Sequence, residues 1–434
     1  MFDYSKEPTR DILCIDCKSF YASVECVERG LNPLKTMLVV MSNAENAGGL
    51  VLAASPLAKK VLGISNVTRK NEVPDHPDLL VVPPRMNLYM KKYYEINQIY
   101  RNFVANEDQH TYSVDESFLD VTQSLSYFDC QKAQELARLI QLEVKNKTGI
   151  YITVGIGDNP LLAKLALDNE AKSSKNFIAE WRYKDVPNKV WTIADMTDFW
   201  GIGGRTAKRL RTFGIQTIYD LAHTDYQKLK DRLGIIGEQL YAHSWGIDRS
   251  FLGDLHIAKE KSIGNSQILP SDYTSKGQIE IVLKEIVEQV TMRLRRMNTK
   301  TENISIYLGY PKNYIDLNGK RQANKQMKIP LTNNSKELKS FAMQLFTQIY
   351  FGQEVRSLGF SCGKLSTTDN LQLNLFLDPT AQIADDRLDL LIDTIRRKYG
   401  FKSIVHATSL LEGATAIKRA NLVGGHAGGN EGLS

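Results

Sequence analysis

The tightest constraint on this chain is a set of acidic residues placed where strand-like apolar runs end. Asp16 closes the run Ile12-Leu13-Cys14-Ile15, and Asp115-Glu116 lies inside Tyr112-Ser113-Val114-Asp115-Glu116-Ser117-Phe118-Leu119-Asp120. Burying a carboxylate is costly unless a cation or a basic partner meets it. Carboxylates at the ends of two neighbouring strands can hold a pair of divalent cations. Two Mg²⁺ ions about 3.5–4 Å apart clamp the attacking and leaving oxygens of a phosphoryl transfer. Mg²⁺ takes oxygen ligands and borrows some of them from substrate phosphates. An adjacent Asp-Glu is common on solvated loops, but the flanking Tyr112 and Phe118-Leu119 shift the balance toward a site.

A chain of 434 residues is too long for one core, so several domains are expected. With 24% charged and 42% hydrophobic residues, most of it should fold. The net charge of +6 is by itself only a weak pointer to nucleic acid. No apolar stretch reaches the roughly 18–20 residues of a membrane span. The start Met-Phe-Asp-Tyr-Ser-Lys-Glu lacks a secretory pattern. A soluble, cytoplasmic protein with no membrane partner is the expectation. Five cysteines, an odd number, argue against a disulfide framework. Cys14 and Cys17 form a C-x-x-C without the second pair or histidine that zinc needs, so both read as packing residues.

Periodicity divides the chain. Residues 11–16 read as a buried strand, and helical spacing from Asp16 to Arg29 puts Phe20, Val24 and Val27 on one face. Residues 37–41 read as a second strand. The small residues 47–54 lead to a helix carrying Lys59 and Lys60. Helices over 86–104, 131–147 and 160–171, with strands over 111–121 and 151–156, complete an α+β domain into which 43–80 is inserted. From about 185 the texture turns to short helices and glycine turns. From about 259 a second α+β pattern begins, with helices over 276–298 and 335–351, strands over 303–310 and 354–365, and Pro330 suited to an edge strand or bulge. A further helical pattern covers 382–398, and Gly-Gly-His-Ala-Gly-Gly near the end reads as a loose terminus.

Three further motifs carry chemistry. In Trp200-Gly201-Ile202-Gly203-Gly204-Arg205-Thr206-Ala207-Lys208-Arg209-Leu210, Gly201 and Gly203 permit a tight hairpin between helices. Such a turn exposes backbone N–H groups at a helix start, beside Arg205 and Lys208, and suits a DNA phosphate. A fainter copy lies at Leu233-Gly234-Ile235-Ile236-Gly237. Gln372-Leu373-Asn374-Leu375-Phe376 matches the short peptide that docks in bacterial sliding clamps, with Gln372, Leu373, Leu375 and Phe376 as contacts; the alternative is a final strand. Lys60 and Lys172 are ordinary surface lysines unless the fold brings them over the carboxylates to hold a triphosphate.

These residues resemble the Y-family translesion DNA polymerases, closest in character to the UmuC-like branch. The resemblance rests on Asp16-x-x-x-Phe20-Tyr21-Ala22-Ser23-Val24-Glu25, on the Asp115-Glu116 run, and on Gly155-Ile156-Gly157-x-Asn159-x-x-x-Ala163-Lys164-Leu165-Ala166. Gly201-Ile202-Gly203 and Lys261-Ser262-Ile263-Gly264 follow in the family's order. It implies an α+β multidomain right hand: palm (1–42 and 81–184), fingers (43–80), helical thumb with the helix-hairpin-helix (185–258), α+β little finger (259–368), and a tail with the clamp peptide (369–434).

The resemblance further implies low-fidelity DNA synthesis past damaged bases in SOS-type repair. Asp16, Asp115, Glu116 and the Cys17 carbonyl would hold two Mg²⁺ ions, with Mn²⁺ as a substitute. Tyr21 falls at the steric-gate position, and Lys60 and Lys172 at triphosphate contacts. Lys60 stands where Arg is frequent, trading a bidentate fork for a point charge. Implied partners are primer-template DNA, dNTPs, the clamp's beta subunit, and a recombinase or accessory subunits. A two-metal nuclease, a nucleotide cyclase and a non-catalytic DNA-binding protein are the rival readings.

Overall fold

The computed structural model describes residues 2–42, 49–254, 261–316, 319–367 and 379–428. They divide between two compact units, Met1–Leu255 with His426–Ser434, and His256–Gly425.

The first unit is organised by a five-stranded sheet in the order Gln109–Thr111, Glu116–Asp120, Ile12–Cys17, Ile152–Gly157, Ile178–Trp181. Ile12–Cys17 is central and antiparallel to both neighbours. Its residues Ile12 to Ile15 are fully buried, as a strand covered on both faces requires. Helix Pro160–Ala166 lies directly on this sheet. A Cβ on Gly155 would stand 2.1 Å from the Ala163 carbonyl oxygen, and one on Gly157 would stand 2.3 Å from the Ala163 nitrogen. Only glycine allows that approach. Asn159 caps the helix by accepting from the Leu162 N–H at 2.9 Å.

A separate three-stranded sheet takes Leu50–Ala54, Leu38–Ser42 and Leu80–Val82, in that order. The strand expected at 37–41 is present as Leu38–Ser42, in this smaller sheet. An apolar run states that it is buried, not which sheet it joins. The helical spacing read from Asp16 starts too early. The strand continues to Cys17, Ser19 turns the chain in a left-handed conformation at φ 50°, and the helix runs Phe20–Val27.

Beyond the sheet, four short helices, Gly204–Arg211, Ile218–His223, Tyr226–Leu233 and Ile235–Ser244, bury Ile202, Ala207, Leu210 and Ile215. Their core is continuous with Cys14, Phe118, Leu161 and Val186 of the sheet region.

The second unit is an antiparallel sheet in the order Gln322–Thr332, Lys300–Gly309, Val355–Ser366, Ile263–Tyr273. Helices Lys276–Arg296 and Ser335–Ile349 share its core. Pro330 lies in the edge strand, where a missing N–H does least harm.

Residues 379–425 are not a tail apart from this unit. Helix Pro379–Tyr399 is held by Arg295, whose guanidinium donates to Asp393 at 2.6 Å and to Asp389 at 2.9 Å. The Thr415 and Ala416 N–H groups each donate to Glu285 at 2.9 Å. Within the expected loose terminus, the Gly428 carbonyl accepts from the Asn87 N–H at 2.9 Å. The clamp-peptide segment Gln372–Phe376 lies outside the described residues.

Candidate active site

Strand pairing brings the expected carboxylates together. Asp16 is the register partner of Glu116 on one side and of Thr153 on the other. Asp115 sits in the hairpin turn before Glu116, and its carbonyl accepts from the Cys17 N–H at 2.9 Å. The turn is fixed by Ser113, whose hydroxyl donates to the Asp115 carboxylate at 2.8 Å.

Asp16, Cys17, Asp115 and Thr153 open on a cleft of about 600 Å³. Asp16, Cys17 and Asp115 form its acidic wall, Tyr21, Leu52 and Ala53 its apolar part, and Lys18, Lys59, Lys60 and Lys172 its basic part. Lys60 and Lys172 thus share one cavity with the carboxylates, as the triphosphate expectation requires. Lys18 and Lys59 join them without having been singled out by any motif. Lys59 had one pointer in the sequence, because it precedes Lys60 on helix Pro56–Leu62.

The electrostatics are strained. Burial, with Asp115 and Glu116 close by, pushes Asp16 up to about 7, against the opposing pull of Lys172. The Lys172 ammonium lies 3.6 Å from Asp16 and 2.8 Å from Asp168. Desolvation lowers the ammonium pKa of Lys18 and of Lys59. The buried Thr153 hydroxyl lines the same cleft with no hydrogen-bond partner among the described residues.

Glu116 accepts a hydrogen bond from Lys164 at 2.7 Å. Among the described residues no three His, Cys, Asp or Glu side chains converge on one point. The Glu116–Lys164 pairing accounts for part of this, since it turns that carboxylate toward an ammonium. The Cys17 thiol is fully buried and its pKa is raised by desolvation, which leaves its backbone carbonyl as the group available to a cation. The donor set is all oxygen, and crowded carboxylates with an unmet hydroxyl suit a hard divalent cation. The residues present therefore fit a hard divalent cation.

Tyr21 is half-buried on the first helix. Its ring stacks on Tyr89 with centroids 4.5 Å apart and planes 15° from parallel. Away from the cleft, Gly201 turns the hairpin at φ 98°, and Gly203 precedes helix Gly204–Arg211. Arg205 and Lys208 are exposed there. A second concavity of about 770 Å³ is lined by Gly201 to Gly203, Trp200, Tyr112 and Asp168.

Comparison with known proteins gives the family. Residues 15–168 match the impB/mucB/samB family model, 260–375 its C-terminal domain, and 197–248 the DNA polymerase-iota thumb domain. The chain is 41% identical to UvrX of Bacillus subtilis (strain 168), covering 98% of this chain and 100% of the relative. It is 34% identical to DNA polymerase IV 2 of the same organism, covering 96% and 98%. A Y-family DNA polymerase chimera, Dbh-Dpo4(243-245)-Dbh, shares its fold at a TM-score of 0.65 and 23% identity, covering 82% of this chain and 100% of the other.

Proposed function

Because the chain belongs to the impB/mucB/samB family, the UmuC-like Y-family DNA polymerases, and is a DNA-directed DNA polymerase, we propose that it synthesises DNA past damaged template bases by two-metal nucleotidyl transfer at the Asp16 cleft. The observation that carries this reading is one cavity lined by Asp16, Asp115, Tyr21, Lys60 and Lys172 together. The rival nuclease, cyclase and non-catalytic readings give way to the family membership.

In this reading Asp16, Asp115, Glu116 and the Cys17 carbonyl hold the cations. When bound there, two Mg²⁺ ions, or Mn²⁺ in their place, would supply charge stabilisation at the attacking primer 3′-oxygen and the departing pyrophosphate. Lys18, Lys59, Lys60 and Lys172 neutralise the triphosphate and steer it into the cleft. The Tyr21 ring limits the space beside the sugar and excludes a ribose 2′-OH. The small residues of 47–54, with Ala53 in the cleft wall, would roof the nascent base pair loosely. Weak shape selection there admits damaged bases at the expense of fidelity.

The thumb hairpin at Gly201 and Gly203, with Arg205 and Lys208, grips the DNA backbone without reading sequence. The segment Gln372–Phe376 tethers the polymerase to the sliding clamp and raises its effective concentration at the primer end. The SOS-type setting, the cytoplasmic location and a recombinase or accessory partner rest on the resemblance to UmuC. Among the described residues no helix is long and apolar enough to cross a membrane.

Asp115→Asn tests the core of this reading. Primer extension should be lost while DNA binding, read by gel shift, persists. Retained extension removes the metal-binding role. Changing Gln372, Leu375 and Phe376 to Ala should spare basal synthesis and abolish stimulation by the clamp; equal stimulation returns the segment to a strand.

A further inference from the structure

Glu25 ends the first motif, and nothing in the mechanism above uses it. It lies on helix Phe20–Val27 one turn after Tyr21, so both side chains share a face. Its carboxylate is fully buried. A buried carboxylate must be met by donors, and here three side chains meet it. Arg85 forks onto it, Nε to Oε1 at 2.9 Å and Nη2 to Oε2 at 2.6 Å. The Tyr89 hydroxyl donates to Oε1 at 2.7 Å. Arg29 donates to it from the same helix. These bonds hold Glu25 below the usual glutamate range although burial alone would raise it.

Arg85 precedes helix Met86–Tyr100, and Tyr89 is one turn beyond it. Tyr89 is fully buried, and its ring is the one stacked on Tyr21. Among the described residues no hydrogen bond holds the Tyr21 hydroxyl. The angle of the Tyr21 ring is therefore set from beneath, by a ring that is itself pinned at its hydroxyl. A bidentate Arg–carboxylate pair fixes orientation as well as distance, and parallel offset rings resist tilting.

We propose that Glu25, Arg85 and Tyr89 form a buried brace that sets the Tyr21 ring and thereby tunes discrimination between deoxyribose and ribose in the incoming nucleotide. The inference rests on the reading of Tyr21 as the sugar gate. Glu25, Arg85 and Tyr89 are positioning residues. None of them lines the cleft, and they act through Tyr21. A gate must hold its edge to within a fraction of an ångström to separate a hydrogen from a hydroxyl, so loosening its support costs selectivity before it costs turnover.

The test is the ratio of kcat/KM for a dNTP to that for the matching rNTP, in the full-length chain with primer-template DNA. Tyr89→Met, which keeps apolar bulk but removes the flat platform, should lower the ratio at least tenfold. Tyr89→Phe, which keeps the ring but frees it from Glu25, should give a ratio between those of Tyr89→Met and the unaltered chain. A role in folding alone would depress both substrates alike and leave the ratio unchanged, and that result overturns the brace. Should Tyr89→Met fail to fold, Glu25→Gln should lower the ratio about threefold, and an unchanged ratio again overturns it. Tyr21→Ala separates the two ideas. If it relaxes sugar selection while the Tyr89 and Glu25 variants do not, the brace is wrong and the gate stands. If Tyr21→Ala itself changes nothing, the gate reading fails and takes the brace with it.

Discussion

The Lys164 ammonium sits 2.7 Å from the Glu116 carboxylate and 3.1 Å from Asp168, with the lysine and Glu116 both largely buried. One cation thereby serves an acid of the candidate metal centre and an acid of the helix behind it. Burial works against this charge, but the acids around it, with the Cys14 thiol, raise the lysine well above its ordinary range. Lys164→Met should leave the largely buried Glu116 carboxylate without its counter-charge, while Asp168 keeps Lys172. Breaking a buried pair in this way costs about 3 kcal/mol. A thermal melt should show a clear fall, and an unchanged melting temperature would mean that the pair is solvent-screened.

Gly155 and Gly157 should tolerate nothing larger. Gly155→Ala drives a Cβ to 2.1 Å from the Ala163 carbonyl, which is backbone and cannot rotate away. Overpacking of this kind costs about 3 kcal/mol or more. Helix Pro160–Ala166 should lift from the sheet, displacing Lys164 with it. The expected outcome is low soluble yield, and any soluble fraction should lose primer extension. A well-folded, active Gly155→Ala would show that the helix can stand off from the strand without harm.

The thumb makes a prediction about salt. Arg205 and Lys208 are exposed on helix Gly204–Arg211, which begins at the exposed Gly203. If they neutralise DNA phosphates, each change to Ala should reduce the slope of log affinity against log salt by about 1 and weaken binding equally across sequences. Fluorescence anisotropy over a salt series measures this. Slopes identical to that of the unaltered chain would assign the DNA contact elsewhere.

In the second unit, Glu288 is met by Lys339 at 2.5 Å, by Arg396 at 3.0 Å and by His406 at 3.4 Å. Burial opposes ionisation, but these basic partners hold the carboxyl far below the glutamate range. A depressed folded-state pKa gives stability that is present above the unfolded value, near 4.3, and is lost as pH falls toward the folded one. The unit should therefore weaken steeply on acidification below about pH 4.3. Glu288→Gln should be less stable at pH 7 by roughly 3–5 kcal/mol, with a flatter acid limb. Denaturant unfolding at several pH values tests both, and parallel acid limbs in the two proteins would contradict the assignment.

Much of the site is legible in the chain's own motifs. Asp16, Asp115 and Glu116 are marked by their apolar surroundings, and Tyr21, Lys60 and Lys172 by the resemblance to the Y family; all but Glu116 line one cleft, with Glu116 in register with Asp16 behind it. The basic pair Lys18 and Lys59 carries no such mark, although both adjoin marked residues. Lys164 stands inside a motif without a role, because nothing along the chain says that its ammonium reaches Glu116.

Local order is written in the sequence because helices and strands impose their own periods on neighbouring residues. The 3.6-residue stripe of Lys276–Arg296 and the alternation of Lys300–Gly309 can be read directly. Partnership was decided only in three dimensions. Leu38–Ser42 joined the smaller sheet, and Pro379–Tyr399 turned Asp389, Asp393 and Arg396 inward against Arg295 and Glu288. A hydrophobic pattern counts charged residues as outward-facing. Only the opposite charge supplied by a distant part of the chain makes their burial favourable, and that pairing is invisible to any window of neighbouring residues.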